Sequence, residues 1–316
     1  MTSSINPQIF REYDIRGIVG QDLTAESVAS IGKAIGTYIK RGGGKTMIIG
    51  RDVRTSSIEF RDILSNALNS TGCDVIDIGM VPTPVTYFAL HHFKADGGVM
   101  ITGSHNPPEY NGFKISQGVH SLYGEKVQEL KRLIDANDFE IGTGNTNQRE
   151  VLGHYMEKIC SILKISRKVK VVVDGGNGCF GIVGPDLLRK LGQNPIELFS
   201  EPDGTFPNHH PDPTVKENLT HLIAKVRYEN AELGIGFDGD ADRIGVVDEK
   251  GNILWGDQLL TIFARDILSR NPGATIVGEV KCSQNLYQDI ENHGGVPVMA
   301  AAGHSLIKNK MRETGA

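Results

Sequence analysis

Three segments of the sequence follow one plan, and this repetition constrains the fold more strongly than any other feature. The segments TMIIGRDVRTSS, VKVVVDGGNGCFG and ATIVGEVKCSQ each lead from an apolar run into a polar or glycine-rich turn. A helical pattern follows each turn and ends near Gly72, Gly192 or Gly294, and a second apolar run then begins. Glycine suits the left-handed conformation that often ends a helix. The repetition therefore predicts βαβ units, in tandem repeated α/β domains with parallel or mixed sheets.

A third apolar run occurs in the first two repeats and leads into the most polar loop of each. These runs are GGVMITGSHNP and ELGIGFDGDADR. At the spacing of either earlier repeat, the corresponding loop of the third repeat would fall beyond Ala316. We therefore expect the third domain to be incomplete.

Two domain boundaries are predicted. The polar segment DANDFEIGTGNTNQRE has little to bury, and the helical pattern after it carries an apolar face that includes Val151, Tyr155 and Ile159. The second boundary follows the strand pattern RIGVVDEKGNIL. The predicted domains are residues 1–150, 151–252 and 253–316.

Composition excludes several classes of protein. A net charge of −5 gives no support to nucleic-acid binding. The sequence has no apolar run of about 18 residues and no basic segment before an apolar core at its start, so we expect no membrane association and a cytoplasmic location. Its 4 cysteines form no C-x-x-C pair and are expected to be reduced thiols.

The loop FDGDADR indicates a metal site. Asp238, Asp240 and Asp242 alternate with Gly239 and Ala241, so in an extended chain the three carboxylates face one side. Converging carboxylates repel one another unless a cation lies between them, and ligands that are all oxygen suit Mg²⁺. A solvated acidic turn is the alternative interpretation.

Two other loop types fit the sequence less well. A calcium loop would use Glu249 as its twelfth residue, but Arg243 stands where that loop needs glycine, and a strand pattern follows instead of a helix. The glycines of DGGNGCFG match a dinucleotide-binding pattern between a strand and a helix. Against that interpretation, Asp174 would place a carboxylate beside the pyrophosphate.

The loop ITGSHNPPEYNGFK is unusually rigid and polar around Ser104. A serine hydroxyl is a weak nucleophile that needs a base, a metal or prior modification. His105 could be that base, although neighbouring side chains of an extended chain face opposite sides. A phosphorylated serine would carry a charge of about −1.5 to −2 and would need cations, which Lys114, Arg16 and Arg243 could supply. An ordinary polar turn is the alternative.

Together these two loops carry a family resemblance. TGSHNPPEYNGFK and FDGDADR resemble the α-D-phosphohexomutases, most closely their bacterial phosphomannomutase/phosphoglucomutase branch. REYDIRG resembles the N-terminal loop of that family, and GEVKCS and AAGHSLIK resemble parts of its third domain. The resemblance extends over essentially the whole chain.

The resemblance implies roles for single residues. Ser104 would be the phosphoserine that carries the phosphoryl group, and its oxygen would complete an Mg²⁺ site of Asp238, Asp240 and Asp242. Proton transfer and charge stabilisation would fall to Arg16, Lys114, Arg243 and His304, and substrate binding to His105, Asn106 and Lys281. Arg51 and Arg54 stay unassigned, because they could bind phosphate or simply cap a turn.

The implied function is interconversion of hexose 1-phosphate and hexose 6-phosphate, with mannose or glucose as the sugar. A hexose 1,6-bisphosphate would be the intermediate and activator, with one Mg²⁺ per chain. Family members have four domains, whose third supplies a GE-x-SGH sugar-reading loop and whose fourth supplies a phosphate clamp. Neither is found in this sequence, so we expect the fourth domain to be absent and the chain alone to be a poor mutase.

Alternative functions remain open at this point. An activity similar to phosphoglucosamine mutase, a non-catalytic phosphosugar-binding protein, and a hydrolase acting through a phosphoserine would use many of the same residues. A NAD-dependent enzyme would instead bind its cofactor at the glycines of DGGNGCFG.

Overall fold

The structure is a computed structural model that describes residues 5–316. The chain divides into one unit that ends at Gly251 and a second unit that runs from Asn252 to Ala316. The first unit contains two sheets and the second contains one.

The first sheet is mixed and begins the first unit. Its order is β1-β5-β4-β2-β3-β7, with β6 paired to β5. The pairs β2–β4, β2–β3 and β3–β7 are parallel, whereas β5 runs antiparallel to β1, β4 and β6. The strands are β1 (Ile15–Ile18), β2 (Thr46–Arg51), β3 (Asp74–Met80), β4 (Gly97–Ile101), β5 (Tyr110–Gln117), β6 (His120–Ser121) and β7 (Thr146–Gln148).

Helices cover both faces of this sheet, because both faces of its central strands are apolar. Ile49 packs in a core cluster with Ile35 and Leu64, while the adjacent Ile48 packs on the other face with Val85. A short 3₁₀ helix, Pro7–Ile9, precedes β1. The α-helices are α1 (Ala25–Arg41), α2 (Ser56–Ser70), α3 (Thr83–His92) and α4 (Glu125–Asp135).

The second sheet of this unit follows α5 (Leu152–Ile162). Within the unit its order is β11-β10-β8-β9, with β10–β8 and β8–β9 parallel and β10–β11 antiparallel. The strand following the FDGDADR loop is β11, which agrees with rejecting a calcium loop. The elements are β8 (Val171–Asp174), α6 (Phe180–Lys190), β9 (Ile196–Leu198), a 3₁₀ helix (Lys216–Leu219), α7 (Thr220–Glu229), β10 (Leu233–Phe237) and β11 (Ile244–Asp248).

The second unit repeats the βαβ plan. Strands β13 and β14 are parallel neighbours, and Leu268, Ile276 and Ile290 lie in the buried core of this unit. Its elements are β12 (Ile253–Leu254), α8 (Gly256–Arg270), β13 (Thr275–Glu279), α9 (Gln284–Asn292), β14 (Val296–Ala300) and α10 (His304–Thr314). The fold class predicted from the repetition is confirmed.

The three helix-ending glycines adopt the left-handed conformation that the sequence predicted. Their φ angles are +88° at Gly72, +82° at Gly192 and +75° at Gly294. In each case the glycine N–H bonds to the carbonyl three residues earlier, and the following N–H bonds to the carbonyl five residues before itself. This is the Schellman pattern, which satisfies carbonyls at the helix end before the chain turns into the next strand.

The polar segment before α5 is more ordered than its composition suggests. Part of it forms β7, an exposed strand that pairs with β3 through backbone hydrogen bonds, and hydrophobic patterning does not report such bonds. Val151 is buried in the first sheet's core, where Leu152 and Tyr155 also pack. The predicted domain boundaries stay predictions. Among residues 5–316, no helix is both long and apolar enough to cross a bilayer.

Candidate active site

The serine loop begins at the carboxyl end of β4, which is where parallel α/β sheets usually carry their sites. Ser104 is 1 % exposed and has φ of +50°, a left-handed conformation that is uncommon for residues other than glycine. Its N–H donates to Thr102 Oγ1 at 2.7 Å. A residue kept in a strained conformation by its surroundings is typical of functional sites.

The acidic loop meets the serine loop from the carboxyl end of β10. Carboxylate oxygens of Asp238, Asp240 and Asp242 lie within 4.8 Å of one another. Ser104 Oγ donates a hydrogen bond to Asp238 Oδ2 at 2.9 Å. The two backbones also touch, since a Cβ at Gly239 would lie 2.6 Å from the Ser104 carbonyl oxygen. The structure thus brings together two loops that are far apart in sequence.

The charge of the acidic loop is only partly balanced by protein groups. Burial, together with the charges of Asp240 and Asp242, raises the pKa of Asp238 well above its usual value. Asp240 Oδ1 is buried, and no donor among residues 5–316 bonds to it. Within the described part of the chain, the group therefore has three clustered carboxylates, one of which has an oxygen without a donor, and a single ammonium group bonded to them, that of Lys114. This arrangement fits a hard divalent cation such as Mg²⁺.

Lys114 supplies that ammonium group from β5. Its Nζ lies 2.5 Å from Asp240 Oδ2 and 2.7 Å from Asp242 Oδ2. Burial alone would lower the pKa of Lys114, but the two carboxylates outweigh burial and raise it. The same contact lowers the pKa of Asp240, against the opposing effect of burial. Lys114 is therefore a permanent cation in this arrangement.

His105 lies beside the serine hydroxyl, with Nδ1 at 3.3 Å from Ser104 Oγ. The loop is not extended here, because the left-handed turn at Ser104 brings the neighbouring side chain round to the same side. The objection based on opposite faces is therefore wrong for this loop. Burial and the charge of Arg243 lower the pKa of His105 to about 4, which makes the imidazole neutral near pH 7.

The remaining predicted cations occupy different positions. Arg16, in β1, donates from Nη1 to Asn106 Oδ1 at 2.5 Å and from Nη2 to Asp14 Oδ2 at 2.5 Å, and is therefore tied to the serine loop. Arg243 is exposed and follows directly after the acidic loop. Lys281 lies in the turn after β13, and His304 is the first residue of α10, both in the second unit.

Two residues of the first unit that the sequence left without a role reach the site. The hydroxyl of Thr83, at the start of α3, donates to Asp240 Oδ2 at 2.5 Å. Arg54, which follows β2, donates from Nη2 to the Ser104 carbonyl at 3.0 Å. Both follow parallel strands at the edge from which the serine loop begins, and this topological rule is the signal that could have identified them.

The glycines of DGGNGCFG serve close packing inside the protein. A Cβ at Gly178 would lie 2.7 Å from the Gly239 carbonyl oxygen, and one at Gly181 would lie 1.6 Å from the Ser200 carbonyl oxygen. Backbone of this chain therefore lies where a pyrophosphate would have to approach. The geometry disfavours a dinucleotide site.

A half-buried histidine, His209, supports the same glycine loop. His209 Nε2 lies 3.1 Å from both oxygens of Asp174, and its Nδ1 lies 2.9 Å from the His210 carbonyl. Both ring nitrogens face acceptors, which only the protonated imidazole satisfies. Burial alone would lower the pKa of His209, but the contact with Asp174 outweighs it and raises the pKa.

We expect this pair to make stability depend on pH. The pKa of His209 in the folded protein is raised above the ordinary value of 6.5. The pair therefore contributes fully to the free energy of unfolding below pH 6.5, and this contribution is lost as pH rises through the folded pKa. Chemical unfolding from about pH 6 to about pH 8.5 should show a loss in the free energy of unfolding that is absent in His209→Gln. His210→Gln is the matched control, and an unchanged pH profile in His209→Gln would contradict the assignment.

Comparisons with known proteins agree along the chain. The models of phosphoglucomutase/phosphomannomutase alpha/beta/alpha domains I, II and III match residues 7–140, 153–251 and 255–316. The phosphomannomutase/phosphoglucomutase of Pseudomonas aeruginosa is 50 % identical over 308 residues, which cover 98 % of this chain and 66 % of that protein. The phosphoglucomutase of Neisseria gonorrhoeae is 44 % identical, over 99 % of this chain and 69 % of that protein.

A solved structure agrees with the sequence comparisons. A phosphoglucomutase/phosphomannomutase family protein from Burkholderia thailandensis superposes with a TM-score of 0.96 at 45 % sequence identity, covering 99 % of this chain and 70 % of that one. The family models, the relatives and the shared fold lead to one conclusion. The chain belongs to the phosphoglucomutase/phosphomannomutase family.

Proposed function

We propose that this chain carries the phosphoryl-transfer centre of a hexose phosphate mutase that interconverts hexose 1-phosphate and hexose 6-phosphate. The chain spans 66 % of the length of the Pseudomonas aeruginosa relative, so the activity of a whole mutase is itself part of the proposal. Mannose and glucose are the proposed sugars, because the relatives' names specify phosphomannomutase and phosphoglucomutase.

One observation carries the proposal: the strained, buried Ser104 directs its hydroxyl at Asp238 in the acidic loop. For an unmodified serine this contact is an ordinary hydrogen bond to a buried carboxylate. For a phosphoserine the same position is useful, since a cation held by the carboxylates would face the phosphoryl oxygens.

Asp238, Asp240 and Asp242 are proposed to hold Mg²⁺ together with an oxygen of phosphorylated Ser104. When bound, Mg²⁺ would act as a Lewis acid that offsets negative charge on the phosphoryl group. The orphaned Oδ1 of Asp240 supports this assignment, because it is a buried carboxylate oxygen with no protein donor among the described residues. Burial and the neighbouring carboxylates raise the pKa of Asp238, so a cation between the carboxylates would favour its charged form.

The protein groups would position the reactants and balance charge. In the first transfer, the bond between Ser104 Oγ and phosphorus breaks, a bond from phosphorus to a sugar hydroxyl oxygen forms, and the hydroxyl proton ends on Ser104 Oγ. The product is a hexose 1,6-bisphosphate, which turns over and returns its other phosphoryl group to Ser104 by the reverse step. Lys114 and Arg243 are proposed as cations around the moving group.

The remaining assigned roles are proposals of differing kinds. Lys114 is better suited to hold charge than to accept a proton, since two carboxylates keep it protonated. The neutral imidazole of His105 lies close enough to bond to the serine oxygen or to a substrate hydroxyl. Arg16 and Asn106 would contribute through their mutual contact beside Ser104. Lys281 and His304 are assigned to substrate binding and proton transfer by family resemblance.

A coupled assay tests the function. The chain is incubated with glucose 1-phosphate or mannose 1-phosphate, Mg²⁺ and a trace of glucose 1,6-bisphosphate, and formation of the 6-phosphate is followed. We expect conversion that depends on the bisphosphate and exceeds that of the Ser104→Ala protein. Glucosamine 1-phosphate serves as the competing substrate.

The alternative functions are distinguishable outcomes of the same assay. Release of inorganic phosphate without 6-phosphate would indicate a hydrolase. Binding of sugar phosphate without conversion or labelling of Ser104 would indicate a phosphosugar-binding protein. Faster conversion of glucosamine 1-phosphate than of the other two substrates would indicate an activity similar to phosphoglucosamine mutase.

A further inference from the structure

We propose that Arg54 is a positioning residue that holds the serine loop in the conformation required for phosphoryl transfer. The proposal rests on the function proposed above and assigns a role that the sequence left open. Arg54 does not touch the serine hydroxyl, so it would act through the backbone of the loop.

The guanidinium of Arg54 uses all five of its N–H donors within the protein. Nε donates to Asp52 Oδ2 at 3.2 Å. Nη1 donates to the carbonyls of Pro107 and Tyr110 at 2.6 and 3.0 Å. Nη2 donates to the carbonyls of Ser104 and Asn106 at 3.0 and 2.6 Å. One planar group therefore ties together four carbonyls of a single loop.

This arrangement explains how Ser104 keeps a left-handed backbone. Its N–H is held by Thr102 Oγ1 and its carbonyl by Arg54, so both peptide groups beside the strained residue are restrained. Asp52 adds a further restraint, because its Oδ2 accepts both from Arg54 and from the N–H of Gly103. A strained residue persists only when several contacts fix it in this way.

The second sheet's loops close over the guanidinium. The Phe206 ring centroid lies 5.2 Å from Arg54 Cζ, a cation–π distance. A Cβ at Gly204 would lie 2.7 Å from Arg54 Cα, and Phe206 packs with Val53 and Cys179 in a small apolar cluster. Arg54 is 1 % exposed as a result. It therefore couples the serine loop to the part of the chain that carries the acidic loop.

The two roles that the sequence left open for Arg54 do not fit this geometry. A phosphate ligand would need a free N–H donor, and all five already have acceptors inside the protein. Capping of the turn after β2 does not account for the arrangement either, because only Nε bonds within that turn, to Asp52, and both Nη nitrogens bond to the serine loop.

The test measures phosphorylation of the chain by glucose 1,6-bisphosphate with Mg²⁺, followed by intact mass over time. Arg54→Lys keeps the charge but presents three donors from one nitrogen, which cannot span four carbonyls. We expect the rate constant at saturating bisphosphate to fall on the order of 100-fold, as for other misplacements near 1 Å. The half-saturating concentration and the fraction of chains finally phosphorylated should stay unchanged. A merely structural role would lower that fraction and leave the rate constant alone.

Hydrogen exchange supplies a second, independent reading. In Arg54→Lys, amides of residues 102–110 should exchange faster while those of the sheet strands do not change. Arg61→Lys is the matched control, since Arg61 bonds to Asp77 away from the serine loop. If Arg54→Lys does not fold, Phe206→Leu weakens the same clamp and should slow phosphorylation by about tenfold.

Each result has a defined meaning. A rate constant in Arg54→Lys within about threefold of the wild type would overturn the positioning role, because misplacement of the serine should cost far more. If the wild-type chain takes up no phosphoryl group, the proposed function fails. In that case, amide hydrogen exchange over residues 102–110 is the measurement that tests whether Arg54 holds the loop. Exchange rates there that are the same in Arg54→Lys and the wild type would overturn the proposal.

Discussion

The Ser104→Ala protein is expected to accept no phosphoryl group and to lose mutase turnover by about 10⁴- to 10⁶-fold, the loss typical when a catalytic nucleophile is removed. The reason is that Ser104 Oγ is proposed to be the atom that bonds to phosphorus. The hydroxyls of Thr83 and Thr102 also lie at the meeting point of the two loops, but Thr83 Oγ1 donates to Asp240 and Thr102 Oγ1 accepts from the Ser104 N–H. Transfer from glucose 1,6-bisphosphate, followed by mass, measures the loss directly.

Measurements of folding and of Mg²⁺ binding distinguish a loss of phosphoryl transfer from a general loss of structure in Ser104→Ala. Alanine removes only the hydroxyl, so the Asp238 cluster should still bind Mg²⁺, as measured by calorimetry. Ser161→Ala is the matched control, because that serine lies on α5 and bonds only to the Lys158 carbonyl among the described residues. Uptake of a phosphoryl group by Ser104→Ala at the wild-type rate would contradict the assignment.

The Lys114→Met protein should lose about 3–5 kcal/mol in the free energy of unfolding, the range for removing one partner of a buried ion pair. Methionine keeps the length of the side chain but removes the ammonium that faces Asp240 and Asp242. Asp240 is fully buried, and among the described residues Lys114 is the one cation that forms an ion pair with it. Urea unfolding without added metal measures the difference.

Added Mg²⁺ should reduce the difference in the free energy of unfolding between Lys114→Met and the wild type. The reason is that a divalent cation bound among the carboxylates would neutralise the charge that Lys114 no longer balances. Lys126→Met is the matched control, since Lys126 is exposed and makes a weak contact with Gln117. A loss below about 1 kcal/mol in Lys114→Met, which is typical of surface pairs, would show that the buried contact contributes little.

Much of the fold could be predicted because its signals are local. Each βαβ unit has its own apolar runs and a glycine that ends its helix, and Gly72, Gly192 and Gly294 all take the expected conformation. The β7 strand was not predicted, because its residues are polar and exposed and it is stabilised by backbone hydrogen bonds to β3. Hydrophobic patterning does not detect such bonds. Packing of Val151 against the first core also depends on tertiary contacts that the helical pattern of α5 does not contain.

The candidate site likewise has features that the sequence predicted and others that it could not predict. The chemistry of converging carboxylates predicted that Asp238, Asp240 and Asp242 would cluster, and resemblance placed Ser104 beside them. The part played by Arg54 could not be predicted, since its five acceptors lie up to 56 positions away and depend on how a strained loop folds back. The left-handed turn at Ser104 likewise reverses the expected direction of His105.

Phosphorylation of Ser104 tests the central claim most directly. The chain is incubated with glucose 1,6-bisphosphate and Mg²⁺, its intact mass is measured, and the modified peptide is mapped by fragmentation. We predict the addition of one phosphoryl group, located on Ser104 and removed again when excess hexose monophosphate is added. A phosphoryl group on any other residue, or none at all on a folded, Mg²⁺-loaded chain, would contradict the account.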